Sequence, residues 1–152
     1  MIGRNGKVVE KFWKTRNIKN YGDIEIPTTT IENVYDRYVA LYGEEALFPV
    51  LRTEYGNIAV STVQGDTMVF AAFAMRGVEI MFRTSTLFNK LDVQATASFN
   101  NYYSAMSNIT FPADSQYARG GGGSLIVSPR GQILAEDPSN NEAIIEAEVD
   151  IA

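Results

Sequence analysis

The chain has 152 residues, 45% of them hydrophobic and 20% charged, with a net charge of −5 and neither cysteine nor histidine. That length and balance suit one globular domain with a sizeable core and exclude a disordered chain. The acidic balance argues against a nucleic-acid partner, and the missing residue types exclude disulfides, Cys-His and Ser-His-Asp catalysis, and the usual zinc sites.

The opening MIGRNGKVVEKF lacks the apolar core of a secretion signal. A cytoplasmic protein is therefore expected. Arg4-Asn5-Gly6 reads as a turn, because Asn-Gly suits positive φ. Lys7 to Trp13 is rich in β-formers and reads as a strand. Arg4, Lys7, Lys11, Lys14, Arg16 and Lys19 make this end basic, and in an acidic chain they read as a solvated face. Thr15 to Pro27 has no period and reads as loop.

In PTTTIENVYDRYVALYG, Thr29 and Glu32 have capping-box spacing. Ile31, Val34, Tyr35, Tyr38 and Leu41 then share one helical face, and Gly43 fits the position after a helix end. Leu47 to Thr53 and Asn57 to Thr62 read as strands around a turn. Asp66 is placed to cap a helix running to Arg76, with Gly77 ending it. The longest apolar run, Met68 to Met75, lies inside that helix and is far short of the about 18 residues of a membrane span. Met68, Phe70, Phe73 and Met75 read as core rather than as a ligand box, or as an apolar face left exposed in a shortened chain. Glu79 to Arg83 has the continuous apolar centre of a buried sheet strand. Asp92 to about Ala105 reads as helix. SLIV and QILAE flank the turn Ser128-Pro129-Arg130-Gly131. Glu142 to Asp150 alternates as a last strand would. The order predicts an α/β fold, a mixed sheet with packed helices.

Four segments carry a resemblance. The first is Gly6-Lys7-Val8-Val9-Glu10-Lys11-Phe12-Trp13-Lys14. The second is Gly56 to Gly65, GNIAVSTVQG, leading into a helix that ends Gly77-Val78-Glu79. The third is the spacing of Asn100, Tyr103 and Asn108. The fourth is Gly122, Gly123, Ser124, Ile126, Val127, Pro129 and Gly131 in a hairpin. In this order they resemble the C-terminal half of the carbon–nitrogen hydrolase family, the nitrilases and aliphatic amidases. The resemblance implies a nitrilase-type αββα sandwich and hydrolysis of amide or nitrile C–N bonds through a Glu–Lys–Cys triad. It implies no cofactor and no metal. By this matching Lys14 is the triad lysine and Val63 stands where the cysteine belongs. The glutamate belongs to a half of the family domain that precedes the matched segments.

A thiolate supplies the covalent route and a fixed cation supplies charge stabilisation, so Lys14 alone offers only the second. Ser61 and Thr62 are candidate substitutes, but a hydroxyl needs a base. Ser61 would sit about 7 Å back along the strand. Gly120 to Gly123 is followed by a strand and no lysine, so it reads as a flexible turn rather than a phosphate loop. The expectation is one truncated carbon–nitrogen hydrolase-like domain over residues 1–152, inactive as it stands. Two alternatives are a pseudoenzyme that binds an intact family member or a second copy, and a hydrolase with a substitute nucleophile. A small amide or nitrile is a substrate only in the last case. Neither nucleic acid nor membrane is an expected partner. Val63 is expected at or just beyond the C-terminal end of a central strand, close to Lys14 at the same end of the same sheet.

Overall fold

A computed structural model describes residues 1–17, 29–85, 88–116 and 118–151. The loop expected at Thr15 to Pro27 lies largely outside these residues, as does Lys19. Among the described residues one sheet has six strands: β1 (Leu51–Thr53), β2 (Gly56–Ser61), β3 (Ile80–Ser85), β4 (Tyr103–Asn108), β5 (Ser124–Val127) and β6 (Ile133–Asp137), side by side in chain order. The central β2, β3 and β4 run parallel, and the outer pairs are antiparallel hairpins. The expected mixed α/β sheet is present.

Parallel neighbours need crossovers, and helices supply them. α2 (Thr67–Met75) joins β2 to β3, and α3 (Lys90–Asn100) joins β3 to β4. The Asp66 side chain accepts a hydrogen bond from the Val69 amide and caps α2. Gly77, at φ 80°, lets the chain leave that helix. Both helices cover the sheet face that carries Ala59, Met81, Met106, Leu125 and Val127. Val63, Val69, Phe70, Phe73, Val93, Ala97 and Tyr102 complete one core there. Alternate residues point to the other face. Ile58, Val60 and Ile80 are half-buried on it, and Phe82 is 39% exposed.

Several expected elements differ. Lys7 to Trp13 is no ladder strand: it makes a small turn with one bridge, Ile2 to Val8, and Gly6 at φ 75°. Two short segments alone cannot sustain a ladder, and no sheet strand among the described residues lies beside them. The helix α1 (Tyr35–Tyr42) follows a 3-10 turn at Ile31–Val34. Its capping box is Thr30 with Asn33, one residue later than Thr29 and Glu32. Glu44–Leu47 is another 3-10 turn, which shortens the first expected strand to β1. The helix expected to reach Ala105 stops at Asn100, because Asn101 takes the left-handed conformation at φ 54°. β4 follows, with Tyr102, Ser104 and Met106 inward. Glu142 to Asp150 alternates but has no ladder. It is tethered by mutual 3.3 Å contacts between the Tyr103 hydroxyl and the Asp150 backbone.

Candidate functional site

The turn between β2 and α2 is held by a set of buried polar groups. Val63 lies two residues past the end of β2 and is 1% exposed, packed in the core. Ser61 is buried, and its Oγ accepts from the Val63 amide at 3.2 Å. That bond turns the chain away from the strand and takes one lone pair of the hydroxyl oxygen. Thr62 is exposed.

Beneath the turn lies Arg83, 1% exposed, at a β3 position that faces the helices. Its Nη2 donates to the Val63 carbonyl at 3.2 Å and to Asp92 Oδ2 at 2.5 Å. Its Nη1 donates to Thr96 Oγ1 at 3.3 Å. The guanidinium lies 4.3 Å from the centre of the Phe70 ring. Asp92 Oδ2 also accepts from the Gly65 amide at 3.2 Å. One ion pair therefore binds both sides of residue 64. The sequence reading passed over it. The available signal was a lone arginine in an apolar strand, at the same parity as Met81.

Lys14 is on the segment that precedes α1. The Lys14 and Thr15 carbonyls accept from the Ile31 and Glu32 amides, each at 3.0 Å. Phe12 packs against the core that contains Val63. Arg16 grips Asp66 with two donors, Nη2 to Oδ1 at 2.7 Å and Nε to Oδ2. This pair ties the Lys14 segment to the start of α2, three residues after Val63. Lys14 belongs to no strand of that sheet among the described residues, which corrects the expected common strand end. Its ammonium makes no ion pair among them, and partial burial pulls its pKa below the usual lysine value.

The glycine run is stitched rather than flexible. The amides of Gly121, Gly122 and Gly123 donate to the carbonyls of Ala118, Ile109 and Ser139. Asn108 Nδ2 donates to the Gly120 and Gly122 carbonyls. A Cβ on Gly122 would lie 2.0 Å from the Ser139 carbonyl oxygen. With those amides engaged, the loop offers no phosphate cradle. A polar cavity of about 240 Å³ lies beside it, lined by Ser107, Ser124, Asp137, Ser139 and Glu142 among others. Among the described residues, no group of three Asp or Glu side chains is placed to hold a metal, and no helix is long and apolar enough to cross a membrane.

The family model for carbon-nitrogen hydrolases matches residues 1–152. Nit3 of Saccharomyces cerevisiae, a member of branch 10 of the nitrilase superfamily, is 26% identical with a TM-score of 0.56, over 64% of this chain and 39% of that one. A cysteine-to-alanine variant of an amidase of the nitrilase superfamily from Nesterenkonia AN1 is 25% identical with a TM-score of 0.51, over 59% of this chain and 37% of that one. Another variant of the same amidase carries the result of Michael addition of acrylamide at its active-site cysteine. It shares 21% identity and a TM-score of 0.56, over 67% of this chain and 42% of that one, a likeness of fold alone. The chain thus spans between 37% and 42% of the length of these solved relatives. No curated protein matches it.

Proposed function

The chain belongs to the carbon–nitrogen hydrolase family, and on that footing we propose that it keeps the frame of a C–N hydrolase site and has lost the covalent chemistry. The observation that carries this reading is Val63, a buried aliphatic residue at the strand-to-helix turn of a chain with no cysteine. Acyl transfer through the enzyme needs a nucleophile whose lone pair can reach the carbonyl or nitrile carbon. Val63 has none, and the Ser61 hydroxyl is bound to the turn backbone. Lys14 supplies a cation, and as an ammonium it has no lone pair with which to attack. The test is ammonia release from formamide, acetamide and simple nitriles. The reading expects none above a boiled control. Release abolished by Lys14→Ala would replace it with a substitute-nucleophile hydrolase.

A second reading, a role in association, is favoured by the sheet face opposite the helices, where Phe82 is exposed beside Ile58, Val60 and Ile80. An apolar sheet face left partly open is a docking surface or an aggregation liability. The occupant we propose is a second copy of the chain. Light scattering over a concentration series should show mass rising with concentration. A constant monomer mass would remove this reading.

A further inference from the structure

Arg83 and Asp92 make two bonds to the turn, one to the carbonyl of Val63 and one from the amide of Gly65. Those two peptide groups flank residue 64, and the first of them is the peptide that joins it to residue 63, whose own amide is held by Ser61 Oγ. Arg83 is 1% exposed and Asp92 13%. Taking two charges out of water is unfavourable, and apolar side chains of similar volume pack a strand against a helix without that cost. Packing β3 on α3 is therefore a poor account of the pair. Phe70 and Thr96 line the guanidinium but leave its charge to Asp92. Beyond offsetting that charge, the carboxylate adds a second hold on the turn.

We propose that Arg83 and Asp92 are positioning residues for side chain 63. They fix the peptide groups on both sides of the turn and so set how residue 63 is presented to a small amide. This rests on the reading that position 63 is the nucleophile's place. Neither residue is catalytic in this account, because each acts through the backbone.

The absence of native cysteine makes the test clean. Val63→Cys introduces a single thiol. With acrylamide the thiolate sulfur bonds the terminal alkene carbon, and the π electrons move to the carbon beside the carbonyl. That carbon takes a proton from water, and nothing is oxidised. The rate is compared with that of a disulfide exchange reagent, 4,4′-dithiodipyridine, which carries no amide. The ratio of the two rates reports presentation to an amide rather than exposure. Asp92→Asn in the Val63→Cys chain should lower that ratio about tenfold or more, the scale expected of a displaced reacting group. Thr96→Val, which removes one Arg83 partner and leaves both turn bonds, should not change it.

Circular dichroism confirms folding in each variant. A ratio equally unchanged in the Asp92→Asn and Thr96→Val chains would overturn the positioning role and leave position 63 intact as the site. A folded Val63→Cys chain that consumes neither reagent would instead remove position 63 itself, and the proposed function with it. If Asp92→Asn does not fold, amide hydrogen exchange at Gly65 in the unaltered chain decides. Protection comparable to the β2 amides supports the clamp, and exchange at the rate of an open loop overturns it.

Discussion

Arg16 and Asp66 face each other with two donors on two acceptors, and the same carboxylate caps α2 through the Val69 amide. One side chain thus anchors the N-terminal segment and starts the helix that follows the turn.

Asp66→Ala should therefore lower stability by about 1–2 kcal/mol, the sum of a lost helix cap and a partly exposed ion pair. The hydrogen bonds from Arg16 hold the Asp66 carboxyl below its usual value of 3.8. A carboxylate depressed on folding stabilises the fold above its unfolded pKa, and the contribution is lost as pH falls through the folded value. Urea midpoints of the native chain and Asp66→Asn should differ at neutral pH and converge in acid below about pH 4.

Asp92→Ala should cost more, about 3–5 kcal/mol, because it leaves the Arg83 charge buried without its partner. The double variant Arg83→Met, Asp92→Leu should recover much of that loss, since no charge then remains in the core. Denaturant melts of the three chains check this. A double variant no more stable than Asp92→Ala would show that the pair is needed for folding itself.

Tyr102 is fully buried, and its hydroxyl, close to Thr96 and Asn100, makes no hydrogen bond among the described residues. Burial pushes its pKa from 10.0 up to about 12. The folded chain therefore keeps a proton that the unfolded chain gives up. Its contribution is full below the unfolded value and lost as pH rises through the folded one. Tyr102→Phe should be neutral or stabilising by up to about 1 kcal/mol at neutral pH. It should also flatten the fall in stability between about pH 10 and 12. Melting temperatures across that range test both parts.

Lys14 is the reverse case. Desolvation lowers its pKa from 10.5, so the folded chain holds this proton less tightly than the unfolded one. The penalty is present at neutral pH and relieved as pH rises from the folded value toward 10.5. Lys14→Met should match or exceed the native melting point at neutral pH. A clear loss would mean that the ammonium has a favourable partner.

The central architecture was legible because its signals are local. Asp66 before an apolar helix, Gly77 after it and the apolar centre of β3 each declare an element over a few residues. The strand β4 was not legible, since Tyr102 to Ser107 reads as well on a helix, and only the left-handed turn at Asn101 separates the two. The extended segments at Lys7 to Trp13 and Glu142 to Asp150 have strand composition without a ladder partner, and pairing is a tertiary fact. Val63 was placed by the strand-turn-helix pattern together with the family resemblance of Gly56 to Gly65. The clamp under it was not, because Arg83 and Asp92 are nine residues apart on different elements and meet only when α3 lies on the sheet.

The measurement that bears most directly on the vacated turn is the intact mass of the unaltered chain, acid-quenched during incubation with a small amide. An operating nucleophile would leave an acyl group on the protein, displacing ammonia. The account predicts a single species at the native mass at every time point. An acylated species whose peptide map places the group on Ser61 or Thr62 would contradict it, and would show that this turn still performs covalent chemistry without a thiol.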